Sequence, residues 1–425
     1  MSNKNKLKAI GLISGVGTLL IGARRAGFDI VGNIEPRPYY RVGALQEGEK
    51  NTFEEYFDGA PIRNTFAELE AEIQAQMKGA DLAMLHNECG NGSTLSFSGK
   101  NWKERQLDVG DFPWVFEHLA MTFPKIFVLD NLAPSLKAIP PERWIEEFPD
   151  YYIYPFPVDN ARYGNPQRCR TRTFFIGVHK DLDFVPFPGE VDHIPTTRDV
   201  IGDLQGKEGT IPNHDPHVTN IVATGFRSPI HGEFDRKLLW SEVSDYVLND
   251  MREAQVWPYW AADGTQKVKI GVYKGKKDGG VNTLNGGVGS FNPWTGLPYS
   301  LRERLRIQGF PDDFILYGTK LEEDGSWNAM RNGNMTRQTG KGMPVQWATF
   351  IAQQIADYYN GVETKLVHTK HHYTPPIVSE AKQTICRDLG GYGKNQDRAC
   401  EVCWLREKCT IRDTAQITMN FEETE

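Results

Sequence analysis

Two kinds of hydrophobic spacing alternate along the first part of the chain. Leu7 to Ile13 is an almost unbroken apolar run, LKAIGLI, of the length expected for a buried strand. Ser14-Gly-Val-Gly17 interrupts it, and TLLIGARRAG then carries apolar residues at helical spacing, closed by Gly27. Phe28 to Ile34 reads as a second strand, ending at Glu35. Asp81 to Glu88, Ile126 to Asp130 and Thr173 to Val178 have the same strand character. Phe112 to Phe123 sets Trp114, Val115, His118, Leu119 and Thr122 near one helical face. Strands alternating with helices predict a doubly wound α/β fold, a parallel sheet with helices on both faces. Ligands of such sheets bind beyond the carboxyl ends of the strands. Glu35, the polar loop around Cys89 and Asp130 all fall at such ends.

The pattern changes from about Asp181 to Tyr299. Gly, Pro, Asp and His become frequent, and the apolar runs are short and irregular, as in VWPYWAADG and VKIGVYKGKKDGG. A separate, loop-rich, mostly β domain is expected there. Helical spacing returns after Ser300, and Pro344 to Tyr359 aligns Trp347, Phe350, Ile351, Gln354 and Tyr358 in one stripe, stopped by Asn360-Gly361. The expected organisation is therefore an α/β unit over 1–180, an inserted domain over 181–299, a return to the first unit over 300–362 and a distinct tail over 363–425.

Composition narrows the setting. The chain has 425 residues, 39% of them hydrophobic, and a net charge of −7. No run of about 18 apolar residues is present, so no membrane span is expected. The first ten residues lack the apolar core of a secretory signal, so a cytoplasmic location is expected, and a monomer. The acidic balance argues against a protein that coats nucleic acid diffusely, but Arg162, Arg168, Arg170 and Arg172 form a local basic stretch with no acid among them. The six cysteines fall into two groups. Cys89 and Cys169 are isolated, whereas Cys386, Cys400, Cys403 and Cys409 cluster near the end, and in a reducing compartment such a cluster reads as metal binding before disulfide.

The glycine turn after the first strand and the carboxylate after the second suit a nucleoside. Glycines let the backbone approach a ligand, and a carboxylate accepts from ribose hydroxyls. A Gly-x-Gly turn also occurs in ordinary α/β packing, so the turn alone does not decide.

Several longer stretches resemble the DNA (cytosine-5) methyltransferase family, in order. They are Gly11-Leu-Ile-Ser-Gly-Val-Gly-Thr18 with Glu35, the block from Asp159 to Gly177 containing Asn160-Ala-Arg-Tyr-Gly-Asn-Pro-Gln167, Arg302-Glu-Arg-Leu-Arg-Ile-Gln-Gly-Phe-Pro-Asp-Asp-Phe314, and Gly340-Lys-Gly-Met-Pro-Val345. The resemblance implies a Rossmann-like S-adenosylmethionine-dependent methyltransferase domain, with a smaller β-rich target-recognition domain in the unmatched insert and DNA as the partner. It implies that Ile13, Ser14, Gly15, Gly17, Glu35 and Gly342 line the cofactor pocket. The family's usual Phe is Ile13 here, its Pro before the cysteine is Glu88, and its Asn in the last block is Lys341.

The same resemblance assigns the chemistry. Cytosine C5 is too weak a nucleophile to take a methyl group unaided. Thiolate addition at C6 makes C5 enamine-like, and a thiol both attacks and leaves readily near neutral pH. Cys89, at the end of an apolar run and followed by Phe97-Ser-Gly99, matches the family's nucleophile. The bland alternative is a small buried hydrophobe. A protonated carboxyl at N3 stabilises the adduct. The family's Glu-Asn-Val is Asp130-Asn131-Leu132 here, so Asp130 takes that role one methylene shorter, or else caps a loop. Arg170 and Arg172 match the arginine pair expected to hold the flipped base and its phosphate; Arg168 and Arg170 are the other possible alignment. In the tail, Cys386-x13-Cys400-x2-Cys403-x5-Cys409 suits zinc or a [4Fe–4S] cluster, with the spacing ACEVCWLREKC leaning toward the cluster through its likeness to certain DNA glycosylases. The rival readings are a relative acting on RNA or with another alkyl donor, and a catalytically weakened nucleic-acid-binding protein.

Overall fold

The computed structural model describes residues 6–37, 40–41, 50–86, 112–131, 139, 141–168, 170–186, 191, 193–216, 219, 222–227, 237–251, 254–260, 266–284, 290–317, 335–336, 338–340 and 342–362. The chain opens with β1 (Lys8–Leu12), α1 (Thr18–Arg25) and β2 (Asp29–Ile34), the expected βαβ unit. There follow α2 (Thr52–Tyr56), β3 (Ile62–Arg63), α3 (Ala71–Met77), β4 (Leu82–His86), α4 (Phe112–Thr122), β5 (Ile126–Asn131) and α5 (Pro141–Glu147). Then come β6 (Tyr151–Asp159), the short β7 (Gln167–Arg168) and β8 (Thr171–His179). The principal sheet has seven strands in the order β3-β2-β1-β4-β5-β8-β6.

The first five strands of that order run parallel, as the alternating pattern predicts, but β8 is antiparallel to β5, and β6 antiparallel to β8. The sheet is therefore mixed. The reason is local: β6 and β8 are joined through a short turn around Asn160–Tyr163 with no crossover helix, and a short connection makes antiparallel neighbours. Strand β6 was not expected because Pro155 and Pro157 interrupt it. Prolines are tolerated at sheet edges, and β6 pairs only with β8.

Alternation along the central strands feeds two cores. Ala9, Met84, Ile126, Val128, Phe174 and Ile176 face α1 and the long helix Val345–Tyr359. Ile10, Leu12, Ala83, Leu85, Phe127, Leu129 and Phe175 face the other way, against Val115, Phe116 and Leu119 of α4 and Trp144 of α5. The sheet is thus a middle layer, hydrophobic on both faces, which is the condition for parallel strands.

The insert contains α6 (Thr197–Ile201), β9 (Val222–Arg227), β10 (Lys237–Leu239), α7 (Trp240–Asn249), β11 (Ala254–Trp260), β12 (Gln266–Lys274), β13 (Val281–Asn282) and β14 (Ser290–Phe291). Five of its strands form a second sheet, β10-β9-β11-β12-β14. Strand β13 instead pairs with β7, which ties the insert to the first unit. The chain returns through α8 (Leu301–Ile307), capped by Ser300 and Glu303 in a reciprocal capping box, and α9 (Val345–Tyr359). Among the described residues no helix is long and apolar enough to cross a membrane.

The return is sealed at one close contact. Gly22 of α1 faces α9, and a Cβ at that position would stand 2.5 Å from the backbone carbon of Ala348 and the backbone nitrogen of Thr349. Alanine normally stabilises a helix over glycine by about 1 kcal/mol. Here the backbone cannot give way, and overpacking of this kind costs about 1–3 kcal/mol. Gly22→Ala is expected to lower the denaturant midpoint, and an unchanged or raised midpoint would contradict the packing described.

Candidate active site

Four strands deliver polar groups to one edge of the sheet. Leu12 of β1 pairs in register with Ile34 of β2 and with Leu85 of β4, and His86 of β4 pairs with Asp130 of β5. The residues just beyond these positions therefore emerge together.

The turn after β1 is built to bring backbone close. Ile13 is buried with φ at 52°, a left-handed conformation that a β-branched residue rarely adopts, and its N–H donates to Ile34 O at 2.8 Å. Gly15 and Gly17 follow with φ of 62° and 86°, and Gly17 caps α1 without a side chain. The Gly15 N–H donates to Glu35 Oε2 at 2.8 Å, so the carboxylate after β2 and the turn after β1 are joined. Ser14 Oγ is buried and has no hydrogen-bond partner among the described residues. Gly342, in the returning segment, lies against the start of α1: a Cβ there would stand 2.7 Å from Thr18 Oγ1. The structure thus brings Ile13, Ser14, Gly15, Gly17, Glu35 and Gly342 to one region.

Arg37 was not singled out in the sequence, and it occupies this region. Its backbone N–H and its Nε donate to Glu35 Oε1 at 3.0 and 2.6 Å, and its Nη2 donates to Glu35 Oε2 at 2.8 Å and to Ile13 O at 3.1 Å. The guanidinium also lies 4.9 Å from the centre of the Tyr40 ring, which roofs Gly15. Two carboxylate oxygens offer about four acceptor positions. All four are taken, three by Arg37, so a ribose diol reaches Glu35 only by displacing guanidinium or main-chain donors.

At the neighbouring strand ends, His86 Nδ1 lies 2.6 Å from Asp130 Oδ2, and both side chains are buried. Burial holds the His86 imidazole below its ordinary range; the Asp130 carboxylate opposes that shift, and the Arg172 and Arg37 charges reinforce it. Asp130 Oδ1 is buried without a hydrogen-bond partner among the described residues. His86 was also missed in the sequence. Its only signal was a polar residue closing the otherwise apolar strand LAMLH.

The arginine pair separates in role. Arg172 is half-buried, and its charge acts on both His86 and Arg170. Arg170 is 3% exposed. Its Nη1 donates to Leu284 O at 2.6 Å, and its Nη2 to Gly340 O at 3.1 Å and to Gly342 O. Its own carbonyl accepts from Asn160 Nδ2 at 2.8 Å. Burial and the Arg172 charge pull this guanidinium down from its usual value and Asp130 pushes it back up, but an arginine stays charged across such shifts. Arg170 therefore fastens the Asn160 turn, the insert and the returning segment together through Nη1, Nη2 and its carbonyl, while its Nε has no hydrogen-bond partner among the described residues. Arg168, the alternative partner, is exposed. Cys89, Glu88 and Lys341, together with Cys169 and the tail cysteines Cys386, Cys400, Cys403 and Cys409, lie outside the described residues. Among the described residues no group of three or more His, Cys, Asp and Glu side chains is arranged to hold a metal.

The longer motifs interlock around this site. Asn165 Nδ2 donates to Ile307 O at 2.8 Å, Gln167 Nε2 to Gln308 Oε1 at 2.8 Å, and Gln308 Nε2 to Thr339 O at 2.6 Å. Arg302 is fully buried and donates to the carbonyls of Pro212, Pro311 and Phe314. Residues 96–357 match the family model for C-5 cytosine-specific DNA methylase. The chain belongs to that family. The matched interval begins after Cys89. Among relatives of this family member, the type II methyltransferase M.FnuDI of Fusobacterium nucleatum is 26% identical over 370 residues, spanning 83% of this chain and 94% of the relative. M.MthTI of Methanothermobacter thermautotrophicus, also a type II methyltransferase, is 29% identical over 239 residues, 52% of this chain and 62% of that one. Of solved structures, a putative DNA modification methyltransferase encoded within an E. coli prophage superposes with a TM-score of 0.54 at 20% identity, covering 84% of this chain and 100% of that chain. A DNMT2 from Spodoptera frugiperda gives 0.50 at 11% identity, covering 82% and 99%. At these identities the two structures speak for the fold alone, a mixed α/β methyltransferase architecture.

The Arg170 arrangement makes a prediction about this methylase's stability. Arg170→Leu strands the carbonyls of Leu284 and Gly340 in the interior, at a cost of about 1–3 kcal/mol for each group left unmade, and leaves the Gly342 carbonyl only the 3.4 Å bond from Gln308 Nε2. A clear fall in thermal midpoint is expected without any DNA or cofactor present. A variant as stable as the parent would return Arg170 to a purely ligand-facing role.

Proposed function

We propose that the protein is an S-adenosylmethionine-dependent DNA cytosine-5 methyltransferase, acting on a cytosine turned out of the duplex and attacked by Cys89. The observation that carries this reading is the placement, at one sheet edge, of a carboxylate joined to the glycine turn and a second carboxyl with one oxygen unpartnered among the described residues, in a chain of the C-5 cytosine methylase family. C6 of a stacked, paired cytosine is closed to a side-chain nucleophile, which is why the base must leave the stack.

The residues divide the work. The Cys89 thiolate adds to C6, and electron density moves through the ring toward N3 and C5. Asp130, protonated, gives its proton toward N3 and holds the developing charge. C5, now nucleophilic, takes the methyl group; the C5 proton then passes to water, the Cys89 thiolate departs and the N3 proton returns to Asp130, restoring the aromatic ring. S-adenosylmethionine supplies an electrophilic sulfonium methyl. Ser14, the Gly15 and Gly17 backbone, Glu35 and Gly342 would hold it, with Arg37 yielding Glu35 acceptor positions to the ribose. Ser14 Oγ, without a hydrogen-bond partner among the described residues, and the approach opened by the glycine turn fit such a ligand. The second sheet, over 222–291, is proposed to recognise the target sequence.

Two measurements test the proposal. DNA carrying 5-fluorocytosine cannot lose fluorine from C5, so a productive enzyme is trapped as a covalent complex stable to denaturing electrophoresis. The trapped species is expected with the parent protein and S-adenosylmethionine and not with Cys89→Ala; a complex that survives the substitution would overturn the nucleophile assignment. Glu35→Gln removes the charged acceptor, and one charge-assisted hydrogen bond contributes about 1.5–3 kcal/mol. A roughly 10- to 100-fold weaker affinity for S-adenosylhomocysteine by calorimetry is expected. Unchanged affinity would remove Glu35 from the cofactor site.

A further inference from the structure

The proposed acid is a short one, and its orientation has to come from somewhere. Asp130 sits one residue before the end of β5, and its register partner His86 is the last residue of β4. In neighbouring parallel strands, register partners point to the same face, so the two side chains meet without any loop to arrange them. His86 Nδ1 and Asp130 Oδ2 are 2.6 Å apart, His86 is 6% exposed and Asp130 is fully buried. The other carboxyl oxygen, Oδ1, is buried with no hydrogen-bond partner among the described residues.

A free carboxyl turns about its last torsion, and its two oxygens exchange roles. The contact to His86 removes that equivalence. We propose that His86 is a positioning residue for Asp130, pinning Oδ2 so that Oδ1 is the oxygen that carries the proton toward the pyrimidine N3. This rests on the reading of Asp130 as the acid in cytosine methylation. The imidazole donates from Nδ1–H to Oδ2. Proton transfer in the reaction then runs from Oδ1 to N3 and back, with His86 neither gaining nor losing a proton. Burial and the Arg172 and Arg37 charges around His86 favour a neutral ring that can stay in that role. Among the described residues one carboxyl oxygen is paired with His86 and the other has no hydrogen-bond partner.

The test compares four variants in steady-state methylation of unmethylated genomic DNA with S-adenosylmethionine. Asn places its side-chain N–H near the position of Nδ1, whereas Gln places it near Nε2. His86→Leu is expected to lower kcat roughly 100-fold, since misplacing a catalytic group by about 1 Å costs that much. KM for DNA and the affinity for S-adenosylhomocysteine should stay within about twofold, because the pair acts on the chemical step and not on binding. His86→Asn should recover kcat to within about tenfold of the parent, and His86→Gln should not, as expected where only a donor at Nδ1 fixes the acid. Asp130→Asn should be inactive. Equal kcat for His86→Asn and His86→Gln would overturn the proposal even if His86→Leu fails to fold. So would a parental kcat in His86→Leu while Asp130→Asn is inactive. If Asp130→Asn itself keeps the parental kcat, the acid assignment fails first and the positioning role falls with it.

Discussion

Parallel pairing of β2, β1, β4 and β5 is the constraint on which the site depends. Because the four strands run the same way, their carboxyl ends open on one edge, and residues far apart in sequence are delivered there by register alone. Leu12 aligned with Ile34 and Leu85, and His86 aligned with Asp130, set the positions of the glycine turn, Glu35 and the buried His–Asp pair. A one-residue slip in any pairing would turn each side chain to the opposite face and dissolve the cluster. The hydrophobic load on both faces of the sheet resists such a slip, since it would drive core residues such as Phe127 and Val128 into the wrong layer.

The family's long sequence blocks act mainly to bring the chain home. The insert separates β8 from α8 by more than a hundred residues, and the return must close a pocket begun at the first strand. Arg302 ties the loop after α8 to the insert by donating to the carbonyls of Pro311 and Phe314 and to that of Pro212, and Gln167 with Gln308 bridges the two halves of the unit. Arg170 completes the closure by binding Gly340 and Gly342 carbonyls, which brings Gly342 against the first residue of α1. Buried arginines suit this task because one planar group serves several carbonyls whose directions diverge, where lysine offers a single point. These motifs therefore read as architecture around the proposed catalytic edge, where the proposed chemistry rests on a few residues at strand ends.

Much of this was legible in the sequence, for physical reasons that also mark the limits. Strands with both faces buried are continuous apolar runs, so β1, β2, β4 and β5 stood out, and the stripe through Trp347 and Ile351 announced α9. The edge strand β6 did not, because Pro155 and Pro157 break the local pattern while the sheet edge accommodates them. Glu35 and Gly15 were legible as a spacing, but Arg37 closing over them was not: an arginine two residues after a carboxylate has no unique meaning until the backbone bends it back. The His86–Asp130 contact depends on strand register, which no local pattern encodes. Arg170 and Arg172 looked equivalent in sequence, and only their depth in the fold separates a fastener from a residue at the site.

The account as a whole holds that this edge converts cytosine to 5-methylcytosine in DNA. The most direct measurement is nucleoside mass spectrometry on DNA from a host without cytosine methylation of its own, expressing the full chain. The account predicts 5-methyl-2′-deoxycytidine with the parent sequence and none with Cys89→Ala. Soluble, folded parent protein that leaves deoxycytidine unchanged, or adds a group of any other mass, would contradict it.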